Sequence, residues 1–249
     1  MRTCRLRSLD LLSDRYIFPS VVLNDHMIRI STAIALSSLA LVLVLPAGSQ
    51  ATLTEVGVIP PTVNPETVPS CPGSPCLAVS RTTGFQVKVG TTHNPLAAPR
   101  AGTVVAWSIM LGKPNATQIK FFNANEGGPS TAGLAILRPQ AKPNLTYKLV
   151  AQSPLVKLEP YFGKTAQFPL ETTLKVKKGD VIALTVPSWA PSLALGFTNA
   201  TSWRASRPKA QCASTSAQTT QTVVGSPVQY YCLYLTARLT YSATLISTP

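Results

Sequence analysis

The chain has 249 residues, with 22 Lys plus Arg against 9 Asp plus Glu, a formal net charge of +13, and only 2 His. So few histidines and acids exclude a two-histidine metal centre after His26 and make a carboxylate-rich calcium site a poor fit. The positive excess comes as much from scarce acids as from abundant bases. Its densest cluster is Lys175, Lys177 and Lys178, and charge scattered in this way attracts polyanions without selectivity.

Residues 1–26 mix Arg2, Arg5, Arg7 and Arg15 with Asp10, Asp14 and Asp25 and show no amphipathic spacing. From Met27 to Ala51 the pattern changes to a basic head at Arg29, an apolar run from Ala33 to Leu45, Pro46, and small residues at Ser49 and Ala51. That is the layout of a secretory signal peptide, with an apolar run of about 13 residues, short of the 18 or more a spanning helix needs. The leader at 1–26 is then either upstream of the true start or a long basic n-region. Either way the expected product is exported, secreted or cell-wall associated, with no transmembrane segment in its mature form and no nucleic acid among its partners.

Thr52 to Pro75 carries prolines at 60, 61, 65, 69, 72 and 75 and reads as an extended tether that cannot join a sheet ladder. Four cysteines follow the signal, an even count that suits two disulfides in an oxidising compartment. Pro-Gly-Ser-Pro between Cys71 and Cys76 is turn chemistry that closes a small loop. Cys212 and Cys232 then pair, stapling a loop for roughly 3 kcal/mol on chain-entropy grounds. Zinc is the competing reading, but these spacings match no common finger and no histidine lies near either pair.

From residue 76 to 249 the signal is short strands divided by turns. Phe85–Val89 alternates with period two, and Gly102–Met110 (GTVVAWSIM) is apolar and β-branched enough for a central strand. Gln118–Phe122, Gly133–Leu137, Tyr147–Ala151 and Leu174–Lys177 continue the series. A Lys178-Gly179-Asp180 turn leads into the buried strand Val181–Val186, followed by Leu193–Thr198 and a long aromatic stretch from Val228 to Leu245. Ala210–Gln221 reads as a surface loop pinned by Cys212. No helical stripe of 12 residues emerges after the signal. Nine or ten strands with this spacing predict an all-β, antiparallel β-sandwich of jelly-roll type in one domain.

Candidates for chemistry are few. His93 precedes Asn94-Pro95 in a loop, and there is no G-x-S-x-G elbow. Six acids follow the signal: Glu55, Glu66, Glu126, Glu159, Glu171 and Asp180. None sits in a strand-end motif that would pair carboxylates for glycoside hydrolysis. Asp180 reads as a turn residue whose side chain bonds nearby backbone N–H groups. No catalytic residue, metal or cofactor is expected.

The aromatics offer the stronger lead. Trp107 lies mid-strand and reads as core, whereas Trp189 sits in a proline-flanked Pro187-Ser-Trp-Ala-Pro191 segment and Trp203 is followed by Arg204 and Arg207. A tryptophan on a stiff loop near cations suits sugar stacking. Asn115, Asn144 and Asn199 head N-x-T triplets, which a eukaryotic secretory route would use as glycan acceptors on exposed loops.

Within residues 102–191, the runs GTVVAWSI, GLAILRP, YKLVAQSPLV and LKVKKGDVIALTVP resemble a group of exported actinobacterial β-sandwich proteins. The resemblance implies a jelly-roll fold in which Trp107, Arg138-Pro139 and Gly179-Asp180 are structural. It carries over no activity and no functional residue. The reading at this point is a secreted, non-catalytic binding module that takes glycans through Trp189, Trp203 and Arg204. The alternative is an interaction protein of the cell envelope held by its basic surface to anionic polymers.

Overall fold

The computed structural model describes residues 50–58, 67–214 and 218–247, so the leader and the expected export signal, up to residue 49, lie outside the described residues. In chain order its strands are β1 (Thr52–Val56), β2 (Val79–Val89), β3 (Thr92–His93), β4 (Gly102–Met110), β5 (Thr131–Pro139), β6 (Thr146–Gln152), β7 (Val156–Lys157) and β8 (Thr165–Val176). They continue as β9 (Val181–Ala190), β10 (Leu193–Leu195), β11 (Ser202–Ala205), β12 (Pro227–Gln229), β13 (Cys232–Leu235), β14 (Ala237–Leu239) and β15 (Tyr241–Ser247). One helix, α1 (Ala116–Asn125), joins β4 to β5.

These strands form the expected antiparallel sandwich. One sheet has the order β1-β15-β4-β8; the larger, curled sheet runs β12-β6-β5-β9-β2-β11-β13, with β3 on β2 and β7 on β5; β10 and β14 form a small pair. The core lies between the sheets, where Val104, Trp107 and Ile109 of β4 are buried with Leu134, Ile136, Ile182 and Leu184 of the larger sheet. A register shift between Val104 and Ala106 rephases β4, which is why its inward residues step by three there and by two afterwards. Tyr241 ties the layers together, its hydroxyl donating to the Ile182 carbonyl at 2.9 Å.

The larger sheet is also covered on its other face, which accounts for the continuous apolar run of β9. The segment after residue 217 folds across it: the Gln221 N–H donates to Thr83 Oγ1 at 3.1 Å, and the Tyr230 hydroxyl donates to Gln221 Oε1 at 2.6 Å. The Ala210–Gln221 reading as surface loop therefore fails at its C-terminal end, where Gln221 is buried.

Other expectations need correction. Thr52–Val56 is no tether: it pairs antiparallel with β15, from Thr52 opposite Ser247 to Val56 opposite Ala243. The prolines that argue against a ladder begin only at Pro60, beyond the strand. Pro69 also bridges to Ala194, so the tether reading fails at both described ends. Gln118–Phe122, expected as a strand, lies in α1. Asn115 caps this helix, its side chain accepting the Gln118 N–H at 2.9 Å while Gln118 Oε1 accepts the Asn115 N–H at 2.9 Å, a reciprocal capping box. Only Phe122 of α1 is buried, so the helix has no apolar stripe for periodicity to reveal. The stretch from Val228 to Leu245 is broken into four strands, with Thr236 at φ +59° between β13 and β14.

Candidate functional site

The three residues expected to bind ligand do not converge. Trp189 is fully buried near the end of β9; its indole N–H donates to Asn123 Oδ1 at 2.8 Å and to the Gly128 carbonyl at 3.0 Å. Its ring stacks on Phe122 at 4.7 Å and tilts over Phe162 at 5.5 Å. No face of it is left for a sugar, which corrects the reading of Trp189 as a ligand-binding loop residue. The prolines mislead because Pro187 lies within a strand at a register shift opposite Arg81 (φ +43°), where a ladder donor is not needed.

Trp203 lies on β11 and is 6% exposed, stacked on Tyr234 at 4.6 Å. It lies so close over β2 that a Cβ at Gly84 would come within 2.9 Å of its ring. Arg204 points elsewhere, donating to the carbonyls of Tyr230 (3.2 Å) and Tyr231 (2.8 Å). Both expected disulfides form, Cys71–Cys76 and Cys212–Cys232.

The acids are dispersed. Arg81 Nε donates to Glu126 at 3.0 Å, Glu55 accepts from Thr244 across β1 and β15, Glu159 opens a short 3-10 turn, and Glu171 is exposed on β8. His93 is exposed on β3. Among the described residues no three His, Cys, Asp or Glu side chains come together.

What the topology does assemble is charge. β4 starts and β8 ends at one end of the sandwich, with Gly102 opposite Val176 and Thr103 opposite Lys175. There the Lys177–Asp180 turn meets the 98–101 segment: the Ala98 N–H donates to the Asp180 carbonyl at 2.8 Å, and the Gly179 N–H to the Ala98 carbonyl at 2.9 Å. Asp180 is the buried centre. Arg138 grips it with two 2.8 Å bonds, through Nε and Nη2, and the Lys177 N–H donates a third at 2.8 Å. The bond to Asp180 raises the Arg138 pKa further above its ordinary range.

Lys148 faces Arg138 across the β5–β6 ladder, Lys175, Lys177 and Lys178 flank the turn, and Arg100 lies two residues past Ala98. Six cations therefore share one end with Asp180, which Arg138 already neutralises. Sequence reasoning found the lysine cluster and the Arg138-Pro139 and Gly179-Asp180 motifs; it missed that they are one assembly, to which Arg100 and Lys148 belong.

Several clefts lie away from this end, and two of them have a partly exposed aromatic ring on the wall. One of about 600 Å³ runs between α1 and the Cys71–Cys76 loop, with an uncharged wall that includes Ser74, Asn115, Thr117 and the exposed ring of Phe121. The other, of about 300 Å³, is walled by Trp203, Tyr234, Arg207 and the Cys212 segment.

Fold and surface together define a disulfide-stapled antiparallel β-sandwich with one strongly basic end. Among the described residues no helix is long and apolar enough to cross a membrane. No protein-family model, no curated protein and no solved structure matches the chain.

Proposed function

We propose that this protein is an exported, non-catalytic binding module that attaches to anionic polymers of the cell surface or its surroundings through the basic end. The observation that carries this reading is that Arg100, Arg138, Lys148, Lys175, Lys177 and Lys178 share one end of the sandwich, where Arg138 already neutralises Asp180. Cations concentrated within about a Debye length, about 10 Å at 0.1 M salt, act on a polyanion as one field. The two disulfides suit an oxidising compartment, where wall polymers and acidic polysaccharides are available.

The test is retention on immobilised polygalacturonate and teichoic acid, comparing wild type with Lys175→Glu/Lys177→Glu/Lys178→Glu and with Lys120→Glu/Lys157→Glu as a distant control. The first variant loses about tenfold or more in affinity and the control little. Equal retention of all three proteins overturns the proposal.

A second reading, a neutral glycan, is favoured by the α1 cleft rather than by the tryptophans. Phe121 is 58% exposed and its ring lies edge-on against Phe122 at 5.6 Å, which fixes an apolar platform beside amide and hydroxyl groups. Salt-insensitive binding to a neutral polysaccharide that is lost in Phe121→Ala would decide for this reading.

A further inference from the structure

The cleft beside the Cys212–Cys232 disulfide holds two donors that the fold leaves unmet. Trp203 and Arg207 line it, 6% and 8% exposed, and among the described residues the Trp203 indole N–H and the Arg207 Nε–H have no hydrogen-bond partner. Buried donors almost always find acceptors, because an unmet one forfeits its hydration and gets nothing back. Two of them on the wall of one cavity call for an acceptor supplied from outside the fold.

The arrangement of Arg207 narrows what that acceptor is. Its Nη1 donates to the Ser214 carbonyl and its Nη2 to the Ser80 carbonyl at 3.0 Å, so the guanidinium plane is pinned at two corners while Nε stays unused. Backbone carbonyls satisfy N–H groups but do not cancel charge. Among the described residues no carboxylate pairs with Arg207; the two ion pairs belong to Arg81 and Arg138. A cation buried to this extent without a counter-ion favours an anionic oxygen over a neutral one.

The rest of the wall sets the body of the ligand. Trp203 and Tyr234 present a stacked aromatic pair, and Leu77, Val79 and Leu193 add apolar surface. The Tyr234 hydroxyl donates to the Cys212 carbonyl at 2.8 Å, so it offers the ligand no donor of its own. At about 300 Å³ the cleft lies at the small end of ligand sites, which run from about 300 to 1,000 Å³.

We propose that this cleft is a binding site for a small carboxylate with a compact aromatic or aliphatic body. The carboxylate accepts from Arg207 Nε and Trp203 Nε1, and the body lies against the Trp203–Tyr234 pair. The Cys212–Cys232 bond holds the Cys212 segment that forms one wall. The site uses none of the basic-end residues, so it stands or falls separately from the polymer reading.

The test is titration of the purified, ¹⁵N-labelled protein with phenylacetate and hexanoate, using phenylacetamide and hexanamide as neutral isosteres. The readout is the three indole N–H signals, with Trp203 assigned by Trp203→Phe. The expected result is a saturable downfield shift of the Trp203 indole signal with at least one acid, and affinity weaker by about tenfold or more for its amide. Trp203→Phe keeps an aromatic ring and removes the donor, and weakens acid binding measured by calorimetry. Arg207→Lys keeps the charge and removes the Nε donor, and weakens it too; if that variant does not fold, Trp203→Phe and the acid–amide comparison still decide. The proposal is overturned by no saturable shift with either acid, which would mean that water alone meets these donors. Equal affinity for acid and amide, or unchanged acid binding in Trp203→Phe, overturns it as well.

Discussion

At the end of the sandwich where β4 begins, six cations share the surface with one buried carboxylate, which Arg138 binds. At the end where β4 finishes, the chain enters α1 and the Cys71–Cys76 loop, and Trp189, Phe122 and Phe162 fill the space between. The same strands supply both ends. The difference teaches how to weigh an aromatic against a charge in an unfamiliar sandwich. A tryptophan near a strand terminus gains most by closing the core, whereas lysines have nothing to gain from burial and stay available.

The closed end breaks first. Trp189→Ala removes a fully buried indole together with two hydrogen bonds, and the expected loss is about 3–5 kcal/mol in urea unfolding. Polymer retention by the folded fraction should not change. If Trp189→Ala instead keeps its stability and loses retention, the two ends have been assigned the wrong roles.

The open end has one structural joint, and it ranks second. Arg138→Met leaves Asp180, 2% exposed at its side chain, with a single remaining N–H donor. Breaking a buried pair costs about 3–5 kcal/mol, but the Arg138 side chain is 37% exposed and solvent screens part of that, so about 2 kcal/mol is expected. Retention should fall as well, because the turn that carries Lys177 and Lys178 loses its anchor. A loss of stability below about 0.5 kcal/mol would show that Asp180 is held by its backbone bonds alone.

How much of this contrast was legible follows from the range of the interactions. β4, β5 and β9 were readable because alternation, β-branching and the Lys-Lys-Gly-Asp turn are local signals. Both cysteine pairs were readable from spacing and turn chemistry. The β1–β15 ladder was not, since it joins Thr52 to Ser247 and no window contains both. α1 was hidden because its stability comes from the Asn115–Gln118 cap and from contacts with the disulfide loop, including Gln118 Nε2 to the Pro72 carbonyl at 3.1 Å, rather than from an apolar stripe. Trp189 was misplaced because its burial depends on Asn123 and Phe122, more than sixty residues upstream. The basic end was half visible: Lys175, Lys177 and Lys178 are neighbours in sequence, but Arg138 and Lys148 reach them only through the sheet.

Between the two ends lies a buried phenol pair whose titration separates core from surface. Burial raises Tyr230 and Tyr241 well above the ordinary phenol pKa of 10. The folded chain keeps both protons where the unfolded chain gives them up, so their contribution is intact below pH 10 and is lost as pH rises beyond it. Arg238 works the other way: burial lowers it to about 10, so its contribution grows as pH rises from there towards the ordinary arginine range of the unfolded chain. Comparing wild type with Tyr230→Phe at each pH cancels that opposing effect. The slope of stability against pH above 10 should be shallower in the variant by up to about 1.4 kcal/mol per pH unit, read by urea midpoints. An unchanged slope would mean that Tyr230 ionises in the folded state.

The smallest expected effect on stability is the most discriminating. Lys175, Lys177 and Lys178 are exposed, and none is in an ion pair among the described residues. Lys177 contributes only backbone groups to the Asp180 joint, its N–H to the carboxylate and its carbonyl to the Asp180 N–H, and these survive a change of side chain. Lys175→Glu/Lys177→Glu/Lys178→Glu should therefore unfold within about 0.5 kcal/mol of wild type, and slightly later where relief of mutual repulsion dominates. The same variant is the one that loses retention on anionic polymer. An end that gives up its binding at almost no cost in stability is an end whose charges are not there for the fold. If the triple variant unfolded much earlier, those lysines would be part of the scaffold and the contrast with Trp189 would disappear.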